Sequence, residues 1–296
     1  MLAFDIGGTK IAAATIVDGV CTDRRQLPMP ASEPDFLAAI KSLASGRGAT
    51  TRAAVALTGY TDGTSVRGVN RTTIPFWQDY PLMPRLRELL GCPVAALNDA
   101  QAAAWGEYLQ RPDTHCRDLL FLTLSTGVGG GLVLDGRLRI GPRGLAGHFG
   151  HMAIEVPPLD EGEASARCGC GRLGCLEAVA SGTALARQSR VLFGEALDAA
   201  RLFELAAQGE PRANTLLDHA AAAVASGIAS SQLQLDLQTV VVGGSVGLAA
   251  GMVARIRAAL ERQPALCAAE VVPARLGGDA GLVGVAAWAA TQEVQP

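Results

Sequence analysis

Three cysteines and a histidine close together are the residues in this sequence most plainly capable of chemistry. His151 ends the run Gly147-His-Phe-Gly-His151, and Cys168, Cys170 and Cys175 follow in Cys168-Gly-Cys-Gly-Arg-Leu-Gly-Cys-Leu-Glu177. Thiolates and imidazole are the preferred ligands of a closed, tetrahedral structural zinc. The short Cys-x-Cys loop turns two sulfurs toward one ion, and Gly169, Gly171 and Gly174 permit the tight backbone this needs. Buried thiols alone would be a poor reading, because glycines interleaved so densely with cysteines pack badly. With four protein ligands the zinc has no open position, so its expected task is to hold His148 and Glu177 in place.

A second chemistry lies in repeated glycine loops. Leu2–Ile6 reads as a short apolar strand that delivers Asp5 into Gly7-Gly8-Thr9-Lys10, and a second strand, Ile11–Val17, leads to a turn at Asp18-Gly19. Glycines let backbone N–H groups approach anionic oxygens that a Cβ would fend off. Alone, such a loop is equally an ordinary hairpin turn. The pattern recurs, however: strand Leu119–Leu124, loop Ser125-Thr-Gly-Val-Gly-Gly-Gly131, strand Leu132–Leu138 with Asp135-Gly136. Two copies imply two related domains, each offering a phosphate loop to a shared cleft. Neither loop is a P-loop, since no Gly-Lys-Ser/Thr ends it, nor a dinucleotide fingerprint, since each runs into a strand.

Between the copies, Ala53–Thr58 and Pro93–Leu97 read as strands, and the second ends at Asn98-Asp99 before an Ala-rich helix, 100–109. Asp99 is open to two readings, a helix N-cap or a reacting carboxylate at a strand's C-terminal end. After the cysteine cluster the pattern predicts helices over Leu176–Phe193, Asp198–Gln208 and Pro211–Leu233. A buried strand, Leu235–Val242, comes next and ends in Gly243-Gly244-Ser245, which is either a nucleotide contact or a tight turn. Helices over Leu248–Arg262 and Asp279–Thr291 complete the pattern.

Composition narrows the classes. A net charge of −3 with 18% charged residues points away from nucleic acid. No apolar run spans a bilayer, no signal peptide precedes the first strand, and the remaining cysteines are scattered, which together suggest reduced thiols in a cytoplasm and no membrane partner.

Taken together, Asp5-Ile-Gly-Gly-Thr9, Asn98-Asp99, Ser125–Gly131, Gly147–His151 and the cysteine run resemble the ROK family of sugar kinases and sugar-responsive repressors, in the right order over the whole chain. The resemblance implies an α/β, duplicated actin-like ATPase (ribonuclease H-like) fold, two domains around a central cleft with a structural zinc site. Residues 1–117 would form the first domain, 118–278 the larger second, and a helix at about 279–296 would pack back on the first. A homodimer is implied as well. Family repressors carry a helix-turn-helix before the first glycine loop; here that loop begins at Asp5, which favours a kinase over a sensor.

The implied reaction is transfer of the γ-phosphate of ATP to a sugar 6-hydroxyl. Hexose kinases of the family usually carry Glu where this chain has His148, a change that resembles members acting on N-acetylmannosamine; glucose, fructose, allose and N-acetylglucosamine are the rival substrates. Asp99 would be the general base, with Asn98, His148, His151, Glu177 and, in the sugar loop, Thr72 and Thr73 on the sugar. Asp5 would hold Mg²⁺ through water. Gly7, Gly8, Thr9, Thr126, Gly127, Val128, Gly129, Gly130 and Gly131 would embrace the phosphates, with Gly243 and Gly244 beside the adenosine. Lys10 would add charge there or remain a solvated surface lysine.

Overall fold

The computed structural model describes residues 1–48, 50–70, 73–111, 115–159 and 166–292. By internal packing it divides into two units. Unit 1 comprises residues 1–112, 138–146 and 278–296, and unit 2 comprises 113–137 and 147–277. The segment 138–146, expected with the second domain, thus groups with unit 1.

Unit 1 is built on β1 (Leu2–Ile6), β2 (Lys10–Val17), β3 (Val20–Pro28), helix α1 (Glu33–Ala44), β4 (Ala53–Leu57), the short pair β5 (Tyr60–Thr61) and β6 (Val66–Arg67), α2 (Leu82–Leu90), β7 (Val94–Asn98) and α3 (Asp99–Leu109). Its main sheet has the order β3-β2-β1-β4-β7. The first three strands are antiparallel, and β4 and β7 are parallel to β1. β1 and β4 are apolar nearly throughout because both faces are covered. Phe4, Ile6, Ile11, Phe36, Leu57 and Trp77 are among the fully buried side chains.

The C-terminal helix, Ala280–Thr291, packs on α3 and on β1 and β4. The backbones meet where small residues face each other. A Cβ on Gly284 would overlap the carbonyl of Ala102, and one on Gly106 would lie 2.7 Å from the carbonyl of Ala280. Gly284→Ala is therefore expected to destabilise the fold by about 2 kcal/mol, overpacking outweighing the better helix propensity of Ala. Denaturant midpoints would check this against Gly278→Ala, where the added methyl meets nothing within 4 Å.

Unit 2 repeats the plan. β8 (Leu119–Leu124), β9 (Val128–Leu134) and β10 (Arg137–Arg139), of which Arg137 falls in this unit, precede α4 (Glu177–Ala180), α5 (Gly182–Phe193), α6 (Ala199–Ala207), α7 (Pro211–Leu235), β11 (Thr239–Gly243), α8 (Met252–Leu260) and β12 (Glu270–Pro273). The sheet order β10-β9-β8-β11-β12 matches that of unit 1 strand for strand. Its core gathers Leu120, Leu122, Leu216, Val224, Ile228 and Val240.

Three predicted boundaries move for local reasons. Helix 176–193 is broken at Ser181, whose side chain accepts from the Ala184 N–H at 3.0 Å and caps α5. Helix α7 runs on through Leu235 until Asp236 turns left-handed at φ 50°, so the next strand starts only at Thr239. Helix α8 begins at Met252 because Gly251 holds φ at 88°. Among the described residues no helix is long and apolar enough to cross a membrane.

Candidate active site

In unit 1 the parallel strands bring Asp5 and Asn98-Asp99 to the same end of the sheet, since Asp5 pairs with Ala56 and Leu57 with Asn98. The N-cap of α3 is Asn98, not Asp99. The Asn98 Oδ1 accepts from the N–H groups of Ala100 and Gln101 at 3.0 and 3.1 Å, satisfying two of the helix's orphan donors. Its Nδ2 donates to the Gly59 carbonyl and to Asp99 Oδ1, each at 2.9 Å. With both amide hydrogens engaged, Asn98 is placed as a brace for Asp99, next to the sugar role expected of it.

Asp99 Oδ1 also accepts from the Ala100 N–H at 2.8 Å. Protein atoms crowd the Asp99 carboxyl, although part of the residue remains open to solvent. Its pKa is pushed up to about 7, first by burial and then by the charge of Asp5, against the pull of the Ala100 and Asn98 hydrogen bonds. Burial likewise raises Asp5 to about 6, opposed by Lys10 and Arg24. Lys10 is thus close enough to act on Asp5 although its side chain is exposed.

The first glycine loop is a tight turn in which the Gly7 N–H donates to the Lys10 carbonyl at 3.0 Å. Thr73 lies against Gly8 so closely that a Cβ there would overlap its methyl, which joins the sugar-loop candidate to the phosphate-loop candidate. Thr72 lies outside the described residues.

In unit 2 the second loop is the turn 125–127, closed by the Ser125 N–H on the Gly127 carbonyl at 2.9 Å. Gly129, Gly130 and Gly131 belong to β9, paired with Thr123, Leu122 and Phe121. Their backbone therefore sits in the sheet ladder, and a packing need explains at least one of them. A Cβ on Gly130 would lie 2.7 Å from both the Gly147 carbonyl and Phe149 Cβ. Gly130 so lets the Gly147–His151 segment lie flat on β9. The rings of His148 and His151 stand side by side there, centroids 6.3 Å apart.

Glu177, first residue of α4, reaches the loop. Its Oε2 accepts from the Val128 N–H at 3.0 Å and leaves no room for a side chain at residue 127, where a Cβ would come within 2.7 Å. The Gly243-Gly244-Ser245 turn lies beside the same loop. The N–H groups of Val246 and Gly247 donate to the Leu124 carbonyl, and Ser125 Oγ is 3.1 Å from Ser245 Oγ. Gly244 has φ 82° and no room for a Cβ, so the turn demands glycine whatever it binds.

The cysteine run folds as a small knuckle, bridged at Arg167 to Leu173 and at Ala153 to Cys175. His151 Nδ1 lies 3.3 Å from Cys168 Sγ, and the sulfurs of Cys170 and Cys175 are 3.7 Å apart. All four donor atoms lie within 4.8 Å of one another. A tetrahedron with Zn–S bonds of ~2.3 Å has edges of about 3.8 Å, so one ion of that size fits the donor set. Glu177 Oε1 is 3.5 Å from Cys168 Sγ, so a single carboxylate touches both the knuckle and the glycine loop.

The ROK family profile matches residues 1–292, and the chain belongs to the ROK family. Within that family it is 44% identical over 290 residues to the N-acetylmannosamine kinase of Citrobacter koseri, covering 96% of this chain and 97% of that protein. It is 40% identical to the enzyme of the same name from Yersinia pseudotuberculosis, with 98% of each chain covered. Among solved structures, a ROK hexokinase from Thermus thermophilus superposes with a TM-score of 0.80 at 34% identity, covering 97% of this chain and 96% of that one. A ROK glucokinase from Streptomyces griseus, in complex with glucose and AMPPNP, does so with a TM-score of 0.81 at 30% identity, covering 97% and 98%. The duplicated actin-like ATPase fold expected from the sequence is the fold of these neighbours.

Proposed function

We propose that this chain is an ATP-dependent N-acetylmannosamine kinase that phosphorylates the sugar 6-hydroxyl. The observation that carries the reading is end-to-end similarity at 40–44% identity to enzymes of that name, in a chain that keeps a braced, buried carboxylate at Asp99. Asp99 accepts the hydroxyl proton and aims the oxygen at the γ-phosphate; positioning dominates such transfers, so a modest base suffices. Asn98 holds Asp99 through the Nδ2 contact. His148, His151 through Nε2, and Glu177 are assigned to sugar hydroxyls or the acetamido group, an imidazole at 148 being able either to donate or to accept.

Asp5 supplies a hard carboxylate oxygen suited to Mg²⁺ and its waters, and that ion would neutralise charge on the phosphates. The loops 7–10 and 125–128 are assigned to the phosphates and the 243–245 turn to the nucleoside. Residues His151, Cys168, Cys170 and Cys175 would hold a structural zinc. On this reading the protein acts as a homodimer, as the family resemblance implies, and in the cytoplasm, as its scattered cysteines suggest.

Coupled ADP release from MgATP, comparing N-acetylmannosamine, N-acetylglucosamine and glucose, tests the assignment. The expected result is the highest kcat/KM with N-acetylmannosamine. A preference for glucose would keep the kinase and overturn the substrate, and no turnover with any hexose would overturn the kinase.

A pH dependence follows from the site. A base must be ionised to act, and kcat/KM reports the free enzyme, so kcat/KM is expected to fall about tenfold per pH unit below about 7, more steeply below about 6 where Asp5 also takes a proton, and to level off above about 7. A profile flat down to about pH 5 would mean that Asp99 titrates like an ordinary exposed carboxylate or is not the base.

A further inference from the structure

The segment Ile140–Ala146 forms no helix or strand and belongs to unit 1, whereas the next residue, Gly147, belongs to unit 2. His148 follows directly, so the chain enters the histidine run from this segment. Irregular backbone inside a folded unit needs donors for its carbonyls, and here one side-chain nitrogen reaches three of those carbonyls. Gln101 Nε2 lies 2.9 Å from the Ala146 carbonyl, 3.2 Å from that of Gly144 and 3.4 Å from that of Ile140. Gln101 is 1% exposed. An amide NH₂ has only two hydrogens, so the Ala146 and Gly144 carbonyls take the shorter bonds, and the Ile140 carbonyl accepts chiefly from the Ala146 N–H at 3.0 Å.

A cavity of about 200 Å³ runs beside the segment, lined among others by Thr61, Leu97, Ile140, Pro142 and Trp288. On the Thr61 side the backbone comes close, with Gly144 at φ 71° and its Cβ position 2.6 Å from the Thr61 carbonyl. The segment closes on itself through the Ala146 N–H on the Ile140 carbonyl at 3.0 Å and the Gly144 N–H on the Gly141 carbonyl at 3.1 Å, and the Gln101 bonds tie that turn to α3. The same glutamine donates its backbone N–H to Asn98 Oδ1 at 3.1 Å, the amide whose nitrogen braces Asp99. One connected set of hydrogen bonds therefore runs from Asp99 to Ala146.

We infer that Gln101 is a positioning residue for sugar recognition: it ties the Ile140–Ala146 segment, and with it the approach to His148, to the helix turn that carries Asp99. This rests on the reading of the chain as a sugar kinase with His148 on the sugar. Gln101 touches no reacting atom; its effect passes through the segment. It is a buried polar residue set among buried alanines, Ala100, Ala102 and Ala103, in the first turns of the helix.

Two substitutions test the inference. Gln101→Leu keeps the volume and removes the donors, and Gln101→Asn keeps the donors on a stem one carbon shorter. Hydrogen exchange over residues 138–151 and steady-state kinetics would be measured on both and on the wild type. In Gln101→Leu, exchange over 140–147 should accelerate at least about tenfold, and KM for the sugar should rise at least about tenfold, with KM for ATP unchanged. Gln101→Asn should fall between wild type and Gln101→Leu, and it decides the matter if the Leu variant does not fold. Faster exchange with an unchanged sugar KM would overturn the inference and leave the kinase reading intact, as would a parallel rise in both KM values. A wild type that phosphorylates no hexose fails the kinase reading itself, and the inference with it.

Discussion

Replacing Asp99 by Asn is expected to leave a folded, ATP-binding protein whose turnover is lower by about 10²–10⁴-fold, the usual contribution of a positioned general base. The amide keeps the shape and one oxygen, so acceptance from the Ala100 N–H and from Asn98 Nδ2 survives. What disappears is the capacity to take a proton. Stability should not fall with activity. Burial raises the folded pKa of Asp99 to about 7 from 3.8, so between those values the folded state binds more protons than the unfolded chain. Stability from this group is therefore lost as pH rises through that window, and a neutral amide removes the cost.

The check is kcat with saturating N-acetylmannosamine and MgATP, beside a nucleotide-binding isotherm and a thermal melt at pH about 8, above the range in which Asp99 titrates. Loss of turnover with nucleotide binding and Tm preserved assigns Asp99 to proton transfer. Loss of nucleotide binding as well would reassign it to scaffolding of Asp5 and the first glycine loop. A variant with unchanged turnover would remove Asp99 from the chemistry altogether.

The parts of this site that the sequence discloses are those set by local pattern. β1 with its glycine loop and β8 with its own are legible because an apolar strand, a glycine turn and a second strand lie within a few residues, and the same order occurs twice. Asp99 is legible because a buried strand ends where an alanine-rich helix starts. The cysteine knuckle is legible from spacing alone.

What stays hidden depends on partners distant in the chain. That Asn98 rather than Asp99 caps α3 is decided by the Gly59 carbonyl, which turns the Asn98 amide. That Gly130 also meets a packing need shows only where the Gly147–Phe149 backbone lies on it. Gln101 gives no local signal, since a glutamine in a helix is usually solvated, and its three carbonyl partners lie about forty residues downstream. The grouping of 138–146 with unit 1 is equally invisible in composition.

The largest structural effect should come from the knuckle. Cys170→Ser removes one of the four ligands and one of the three thiolates, and a site closed by His151, Cys168 and Cys175 alone should bind zinc far more weakly. Metal binding is folding free energy for such a motif, so Tm is expected to drop by about 10 °C. The functional consequence runs through Glu177. Its Oε1 lies against Cys168 Sγ and its Oε2 holds the Val128 N–H, so a loosened knuckle frees the carboxylate and, with it, the 125–128 loop. KM for the sugar should rise about 10–100-fold, the scale on which supporting contacts tune a site.

Metal content per chain, by elemental analysis, is the readout that does not depend on activity. Cys267→Ser is the control, a buried thiol in the core of unit 2 remote from the knuckle in its contacts, and it should keep the metal whatever it costs in stability. Wild type carrying about one zinc per chain, Cys267→Ser retaining it and Cys170→Ser losing it together with sugar affinity would establish the knuckle as the brace of Glu177. A Cys170→Ser protein that is metal-free yet binds sugar as the wild type does would show that Glu177 is held by the Val128 amide alone. The four ligands would then stabilise the fold without serving recognition.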